Sequence, residues 1–117
     1  MKSRDINSGI TFFYYSDLST ARSFYEDTLG FDIVDDQGWA VIYQVSGSCF
    51  FGIVNEDKGF CEPQESNAVL LTLVVDDAES WHEYLTDEGV NIESELEVKE
   101  DIGVKVFFAR DPAGYAI

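Results

Sequence analysis

A pattern that occurs twice along the chain limits its possible folds most strongly. A strand-like segment, a capped helix, a glycine stop and further strands follow one another from "GITFFYYSDL" at residues 9–18 and again from "AVLLTLVV" at residues 68–75. At an offset of 59 residues, four pairs of identical residues align: Asp17 with Asp76, Tyr25 with Tyr84, Gly30 with Gly89, and Ile33 with Ile92. A tandem repeat of this kind predicts two copies of one supersecondary unit.

Each copy is predicted to have the order βαβββ. In the first copy, Asp17 or Ser19 can cap the helix and Gly30 ends it, before the strands "FDIVDD", "WAVIYQVS" and "CFFGIVN". In the second copy, the helix "DDAESWHEYLTDEG" ends at Gly89 and precedes "VNIESELEV", "GVKVFFA" and a short "YAI". We predict a single domain, 1–117, built from modules at about 8–57 and 66–117, the last strand of the second being truncated.

The first strand has bulky side chains on both faces. Because successive strand residues point to opposite sides, Ile10, Phe12 and Tyr14 share one face, and Phe13 and Tyr15 share the other. A face in water should be polar, and the helix of a module can cover only one face of its sheet. Two modules side by side would form a curled half-barrel with the helices outside. We therefore predict an α+β fold in which the second aromatic face lines a cavity or a partner interface.

The charge of the chain excludes several classes of partner. It has 23 acidic and 7 basic residues, a formal net charge of −16. This charge repels nucleic acid, anionic lipid and phosphorylated substrates, and it is compatible with a cationic or neutral ligand or with a role in solubility alone. The segment "MKSRDINSG" lacks the apolar stretch of a secretory signal, and no run approaches the roughly 20 apolar residues of a membrane span. We predict a cytoplasmic protein without a membrane or nucleic-acid partner.

The cysteines indicate neither a disulfide framework nor a zinc site. Cys49 and Cys61 are twelve residues apart and form no CxxC motif. Cys49 lies in an apolar run and is predicted to be buried, whereas Cys61 lies in the polar loop "EDKGFCEPQESN".

The segments "SDLSTARSFYEDTLGFDIV", "WAVIYQVSG" and "FFARDPAGYAI" resemble the vicinal oxygen chelate superfamily. This superfamily includes glyoxalase I, extradiol dioxygenases, fosfomycin-resistance transferases and bleomycin-resistance proteins. The resemblance covers nearly the whole chain, and the pairing of "FYEDTLGF" with "DPAG" is fairly specific. It implies paired βαβββ modules, usually in a homodimer, which agrees with the repeat.

Enzymes of this family typically hold a divalent metal. The resemblance places the four ligand positions at Ile10, at Leu70, at Gly52 (or Phe51 if the register shifts by one) and just beyond Ile117. Isoleucine, leucine and glycine side chains offer no lone pair to a metal. The resemblance therefore implies that the metal chemistry of the family does not extend to this chain, and no cofactor is predicted.

Several residues that could suggest catalysis have simpler structural explanations. His82, the only histidine, is predicted to lie at the surface or the rim of the cavity. Asp111 in "DPAG" is predicted to form a turn. The acidic start of the second helix, at Asp76, Asp77 and Glu79, suits capping and the helix dipole.

What remains is an apolar, aromatic surface with a few polar groups, as is common in ligand pockets. Trp39 is expected near the mouth of the cavity, and Arg110 is a possible polar anchor for the ligand. On the face that the family resemblance assigns inward, the predicted ligand-binding residues are Ile10, Phe12, Tyr14, Trp39, Tyr43, Phe50, Leu70, Thr72, Phe108 and Arg110.

Three hypotheses about function remain open. The first is a metal-independent small-molecule binding protein that sequesters an aromatic or cationic compound, similar in kind to bleomycin-resistance proteins and homodimeric. The second is a metal-dependent lyase or dioxygenase of the same superfamily with displaced ligands, which would require a divalent metal. The third is an interaction module with a filled interior. Fold resemblance alone does not separate them.

Overall fold

The computed structural model describes residues 6–101 and 103–117. Its contacts separate unit 1, which extends to Pro63, from unit 2, which runs from Gln64 to Ile117. The predicted lack of a secretory signal concerns residues 1–9, and residues 1–5 lie outside the described part. Within the described residues, no helix is both long and apolar enough to cross a membrane.

Unit 1 contains one continuous four-stranded sheet. The strands are β1 (Ile10–Tyr15), β2 (Asp32–Asp36), β3 (Ala40–Ser46) and β4 (Cys49–Asn55). Their order in the sheet is β1-β4-β3-β2; β1 and β4 are parallel and the other pairs are antiparallel. The predicted βαβββ order is therefore confirmed in unit 1.

The helix of unit 1 changes its winding part of the way along. An α-helical start, α1 (Leu18–Arg22), continues into a π-helical segment, Ser23–Thr28. Asp17 caps the start by accepting a hydrogen bond from the Thr20 N–H at 3.1 Å. Gly30 follows the end with a φ of 75°, a conformation that glycine adopts without steric cost. Both the cap at Asp17 and the stop at Gly30 were predicted from the sequence.

The π-helical segment accommodates one more residue than the helix of unit 2 has. That second helix, α2 (Ala78–Asp87), is capped by Asp77 and followed by Gly89 at a φ of 78°. Thirteen positions separate Asp17 from Gly30, whereas twelve separate Asp77 from Gly89. Because i→i+5 hydrogen bonding takes up an extra residue in a turn, the π-helical segment absorbs this difference. The sequence alignment paired Asp17 with Asp76, so it was one residue out of register at the helix start.

The core of unit 1 lies between its sheet and its helix. Phe13 and Tyr15 on β1, and Phe51 and Ile53 on β4, are at most 4% exposed. Tyr25 from the π-helical segment packs among them, with its ring centroid 4.8 Å from that of Phe51. One face of the aromatic first strand is therefore the core of the unit.

Unit 2 has short strands. They are β5 (Asn91–Ile92), β6 (Glu97–Lys99), β7 (Val104–Val106) and β8 (Ala109–Arg110). β5 pairs with β8 and β6 pairs with β7, both antiparallel. The predicted strand at 68–75 is wrong as a continuous element, since the segment forms a single bridge, between Leu70 and Ala116. An apolar run favours an extended chain, but it does not specify a neighbouring strand.

Two residues discussed from the sequence have contrasting outcomes. Asp111 is 4% exposed, and its Oδ1 accepts hydrogen bonds from the N–H groups of Ala113 and Tyr115 at 3.0 and 2.9 Å. The predicted turn is confirmed. Cys49 was predicted to be buried, which is wrong: it is exposed, because it is the first residue of β4, directly after a tight turn at Gly47.

Candidate functional site

The second face of the unit 1 sheet, called the open face below, is the face opposite the helix of that unit. Strand register and alternation place side chains from three neighbouring strands on this face. They are Ile10, Phe12 and Tyr14 on β1, Phe50, Gly52 and Val54 on β4, and Ala40, Ile42 and Gln44 on β3. The set is apolar and aromatic, with one phenol and one amide as its polar side chains.

The ring of Phe12 lies over Gly52 at the middle of the open face. Gly52 pairs with Phe12 on β1 and with Ile42 on β3. A Cβ atom at position 52 would overlap the ring of Phe12, so glycine is required there unless the ring moves. An aromatic ring therefore occupies the space beside one of the positions where the family resemblance placed a metal ligand.

The residues at this place do not fit a metal centre. Ile10, Gly52 and Phe12 have no metal-binding side-chain atoms, and Leu70 in unit 2 has none either. Across the described residues, no group of three or more His, Cys, Asp or Glu side chains is placed to hold a metal ion.

A loop covers one end of the open face. Gly59 lies so close to Tyr14 and Val54 that a Cβ atom there would overlap both side chains. Val54 is consequently 4% exposed although it is on the open face. Burial, and then the hydrogen bond with the Cys61 side chain, raise the pKa of Tyr14, while the backbone groups of Cys61 and Phe60 act to lower that pKa. The hydroxyl of Tyr14 thus anchors the loop.

Phe60 belongs to this loop and is fully exposed, with a relative accessibility of 100%. Phe60, Gly59 and Cys61 were not among the binding residues predicted from the sequence. A phenylalanine inside the polar stretch "EDKGFCEPQESN" was the available sign.

Trp39 lies at the same end of the sheet as this loop. Its carbonyl accepts a hydrogen bond from the Asn55 N–H at 2.8 Å. Asn55 follows Val54, the residue of β4 that pairs with Tyr14. The Trp39 side chain is 42% exposed. The backbone of Trp39 therefore lies at the end of the sheet where Tyr14 and the Phe60 loop lie, which is called the aromatic end below.

Tyr43 lies on the opposite face from the one predicted. It pairs with Phe51, it is 0% exposed, and its ring centroid is 6.3 Å from that of Tyr25 under the helix. Alternation along β3 gives the open face to Ile42 and Gln44 instead. The face assigned to β3 from the family resemblance was therefore wrong at Tyr43.

Tyr43 takes part in a polar network beneath the helix. Its hydroxyl donates to Glu26 Oε2 at 2.8 Å, and the same oxygen accepts from Arg22 Nε at 2.7 Å. The Arg22 guanidinium also contacts Asp36 Oδ2 at 3.0 Å. Burial, followed by the Glu26 carboxylate, raises the pKa of Tyr43 strongly. Because these groups bind one another across the helix and the sheet, the network serves to hold the two together.

Two surface depressions lie away from the predicted ligand-binding residues. One, of about 370 Å³, lies beside this network and is lined by Leu18, Ser19, Arg22, Ser23, Glu26, Asp27 and Gly38. The other, of about 300 Å³, is in unit 2 and is lined by His82, Thr86, Ile92, Glu93, Ser94 and Glu95. Neither is on the open face.

The structure brings the other predicted residues together only in part. Leu70 and Arg110 both bridge to Ala116 in unit 2, so they are close to each other. The Arg110 side chain donates to Glu93 Oε1 at 2.9 Å and to the Gly114 carbonyl at 3.1 Å. Thr72 and Phe108 are exposed.

His82 lies on α2 and is half-buried. Its ring is edge-on to Phe107, with centroids 4.9 Å apart, and its Nε2 is buried without a hydrogen-bond partner among the described residues. No acid or base partner that would indicate catalysis contacts this nitrogen in the described part of the chain.

The described residues combine helices and β-strands in both units, and the open face of unit 1 is apolar and aromatic. Residues 9–117 match the family described as the Glyoxalase/Bleomycin resistance protein/Dioxygenase superfamily. The chain belongs to this superfamily, which confirms the family and the fold class indicated by the sequence. No curated protein sequence matches the chain.

Solved structures with the same fold come from several bacteria. A protein of unknown function from Agrobacterium tumefaciens str. C58 has a TM-score of 0.74 at 26% identity, with coverage of 100% of this chain and 93% of that one. A hypothetical protein from S. aureus has a TM-score of 0.76 at 21% identity, with coverage of 97% and 91%. A lactoylglutathione lyase from Agrobacterium tumefaciens has a TM-score of 0.67 at 20% identity, with coverage of 98% and 92%. These similarities show the fold and do not transfer an activity.

Proposed function

We propose that the protein is a metal-independent small-molecule binding protein that sequesters a flat aromatic or cationic compound on the open face. The observation that supports this most is the ring of Phe12 over Gly52, at a position where metal-dependent relatives would need a ligand. The scaffold is retained while an aromatic surface takes the place of metal-binding side chains.

The chemistry of the open face suits such a ligand. Ile10, Phe12 and Phe50 provide apolar contact area, and Tyr14 adds a phenol ring at one end. Aromatic rings bind flat molecules by stacking and bind cations through their faces. The net charge of −16 favours a cation over an anion in the encounter.

A direct binding measurement tests this proposal. The chain has two tryptophans, so Trp81→Phe leaves Trp39 as the only tryptophan reporter at the aromatic end. We expect saturable quenching of its emission by the cationic dye proflavine, and weaker binding of the neutral parent acridine. Phe12→Ala should weaken proflavine binding, whereas the control Ile33→Ala should leave it unchanged, because Ile33 pairs with Tyr43 and lies on the opposite face of the sheet. Absence of saturable binding across a broad panel of planar compounds would refute the proposal.

The metal-dependent lyase or dioxygenase remains the competing function, and it predicts a different result. Metal analysis of protein purified without chelator would then give a stoichiometric divalent ion, and a chelator would abolish activity. Protein that is free of metal yet binds proflavine would support sequestration.

A homodimer and a cytoplasmic location belong to this proposal as well. Dimers are usual in the family that the sequence resembles. Light scattering across a range of protein concentrations tests the dimer, and localisation of a tagged chain in cells tests the compartment.

A further inference from the structure

We propose that Phe60 is a ligand-contacting residue, carried by the loop anchored on Tyr14, and that it covers a planar compound bound at the aromatic end of the open face. This inference rests on the proposed function. It assigns a role to a residue outside the sheet.

The first argument is the position of the loop. Gly59 contacts the side chains of Tyr14 and Val54, which both belong to the open face. The next residue along the chain is Phe60, so its backbone is held on that side of the sheet. The backbone groups of Phe60 and Cys61 also interact with the Tyr14 hydroxyl. The backbone of Phe60 is therefore held at the edge of the proposed site.

The second argument is the exposure of Phe60. Its side chain is 100% exposed, whereas Val54 and Tyr15 nearby in the sheet are 4% and 1% exposed. A phenylalanine side chain exposed to water lacks the favourable free energy of transfer to an apolar environment that burial would provide. A planar compound stacked at the end of the open face would let the ring recover contact area without unfolding the loop anchor.

The third argument is the absence of a side chain at position 59. A Cβ atom there would overlap Tyr14 and Val54, so glycine lets the loop lie directly on the open face. The site would therefore be bounded by the sheet below, by Tyr14 at its end and by Phe60 above.

Proflavine binding to a set of variants tests the inference. Phe60→Ala should fold normally, because the side chain makes no buried contacts. We expect it to weaken proflavine binding about tenfold, the change expected when one partly buried aromatic contact is lost. Stopped-flow measurement should show most of the loss as faster dissociation. Ile33→Ala, the control on the opposite face of β2, should bind as the unchanged protein does.

The anchor is tested by a double-mutant cycle. Tyr14→Phe removes the hydroxyl that holds the loop but keeps the ring, so the effect of Phe60→Ala should become smaller in that background. Additive effects would overturn the role of the anchor.

The two proposals fail in different ways. If the unchanged protein binds proflavine and Phe60→Ala binds it equally well, the role of Phe60 is refuted and the proposed function stands. If neither protein binds proflavine or any other planar compound in the panel, both proposals are refuted.

Discussion

In unit 1, four strands of five to seven residues form one sheet, whereas the strands of unit 2 are two or three residues long. The burial of apolar side chains differs in the same direction. Of the buried apolar residues in the described chain, all but Leu85, Ala109 and Tyr115 lie in unit 1. The two units repeat one sequence pattern, but unit 1 has most of the hydrophobic core.

The difference shows that an apolar run alone does not specify a packed strand. In unit 1, β4 is buried without a break from Phe51 to Val54, and the ring of Phe51 meets that of Phe13 on β1 beneath the helix. The run at 68–75 is apolar as well, but Val74 and Leu70 in it are 95% and 50% exposed. An apolar run becomes a buried strand where strands pair with it on both sides, as β1 and β3 do with β4.

The largest expected effect comes from removing an aromatic ring from the core of unit 1. Phe51 is 1% exposed, and its ring centroid is 5.0 Å from Phe13 and 4.8 Å from Tyr25. Phe51→Ala should lower the free energy of unfolding by about 3–5 kcal/mol, as expected for a large core residue. Urea unfolding followed by circular dichroism measures this change.

Leu70→Ala is the comparison in unit 2, because Leu70 is apolar but 50% exposed. It should cost much less than Phe51→Ala, since less apolar surface leaves a buried environment. Equal losses for the two variants would contradict the uneven distribution of the core between the units.

The next effect concerns polar contacts, which also differ in burial between the units. Glu26→Ala removes the acceptor of the buried Tyr43 hydroxyl and the ion pair with Arg22. We expect a loss of about 1–3 kcal/mol in the free energy of unfolding, because a buried donor is left without a partner. Adding Tyr43→Phe should recover part of this loss, since the unsatisfied hydroxyl is then absent.

Glu79→Ala is the matched change in unit 2, where Glu79 pairs with Lys105 and both side chains are at least half-exposed. Its effect should be smaller and should disappear in about 1 M salt, because salt screens exposed charges. A salt-resistant loss at Glu79, or no recovery with Tyr43→Phe, would contradict this explanation.

A feature that the two units share should give equal effects. Gly30 and Gly89 both follow a helix, with φ values of 75° and 78°, and a Cβ atom at either position would have no neighbour within 4 Å. Alanine at each should therefore cost about 1–2 kcal/mol through backbone strain alone. Gly9→Ala, also in open space but without a positive φ, is the control and should change little. A loss at Gly30 without a loss at Gly89 would mean that the helix of unit 2 unfolds independently.

The elements of unit 1 could be predicted from the sequence almost to the residue. Short apolar runs bounded by turn residues, a capping aspartate and a glycine stop act locally, so no knowledge of distant contacts was needed for β3, β4 and the helix. The π-helical segment could not be predicted, because it depends on how many residues must fit between Asp17 and Gly30 while Tyr25 stays in the core.

The candidate site could be predicted only where strand alternation decides the face. Alternation placed Ile10, Phe12 and Tyr14 on one face, and the resemblance added Phe50 and Tyr43; the first four share the open face and Tyr43 does not. The choice for β3 required the register of that strand against β4, which the sequence does not encode locally. The loop at Gly59, Phe60 and Cys61 was missed because its contacts with Tyr14 join residues that are distant along the chain.

The smallest expected effect is a pH dependence at the helix start of unit 1. Asp17 accepts hydrogen bonds from the Thr20 hydroxyl at 2.6 Å and from the Thr20 N–H at 3.1 Å, and these bonds, the hydroxyl first, lower the pKa of Asp17. A carboxylate with a lowered pKa in the folded state stabilises the fold above its unfolded pKa of about 4, and this contribution is lost as the pH falls through the folded pKa. Asp17→Asn should therefore be less stable than the unchanged protein at neutral pH, and the difference should vanish in acid. Thr20→Val, which removes only the hydroxyl, should shift the pH of this loss upward toward the unfolded pKa, and urea unfolding at stepped pH values measures both changes. A stability difference between Asp17→Asn and the unchanged protein that persists at low pH would show that the cap acts through its shape and not through its charge.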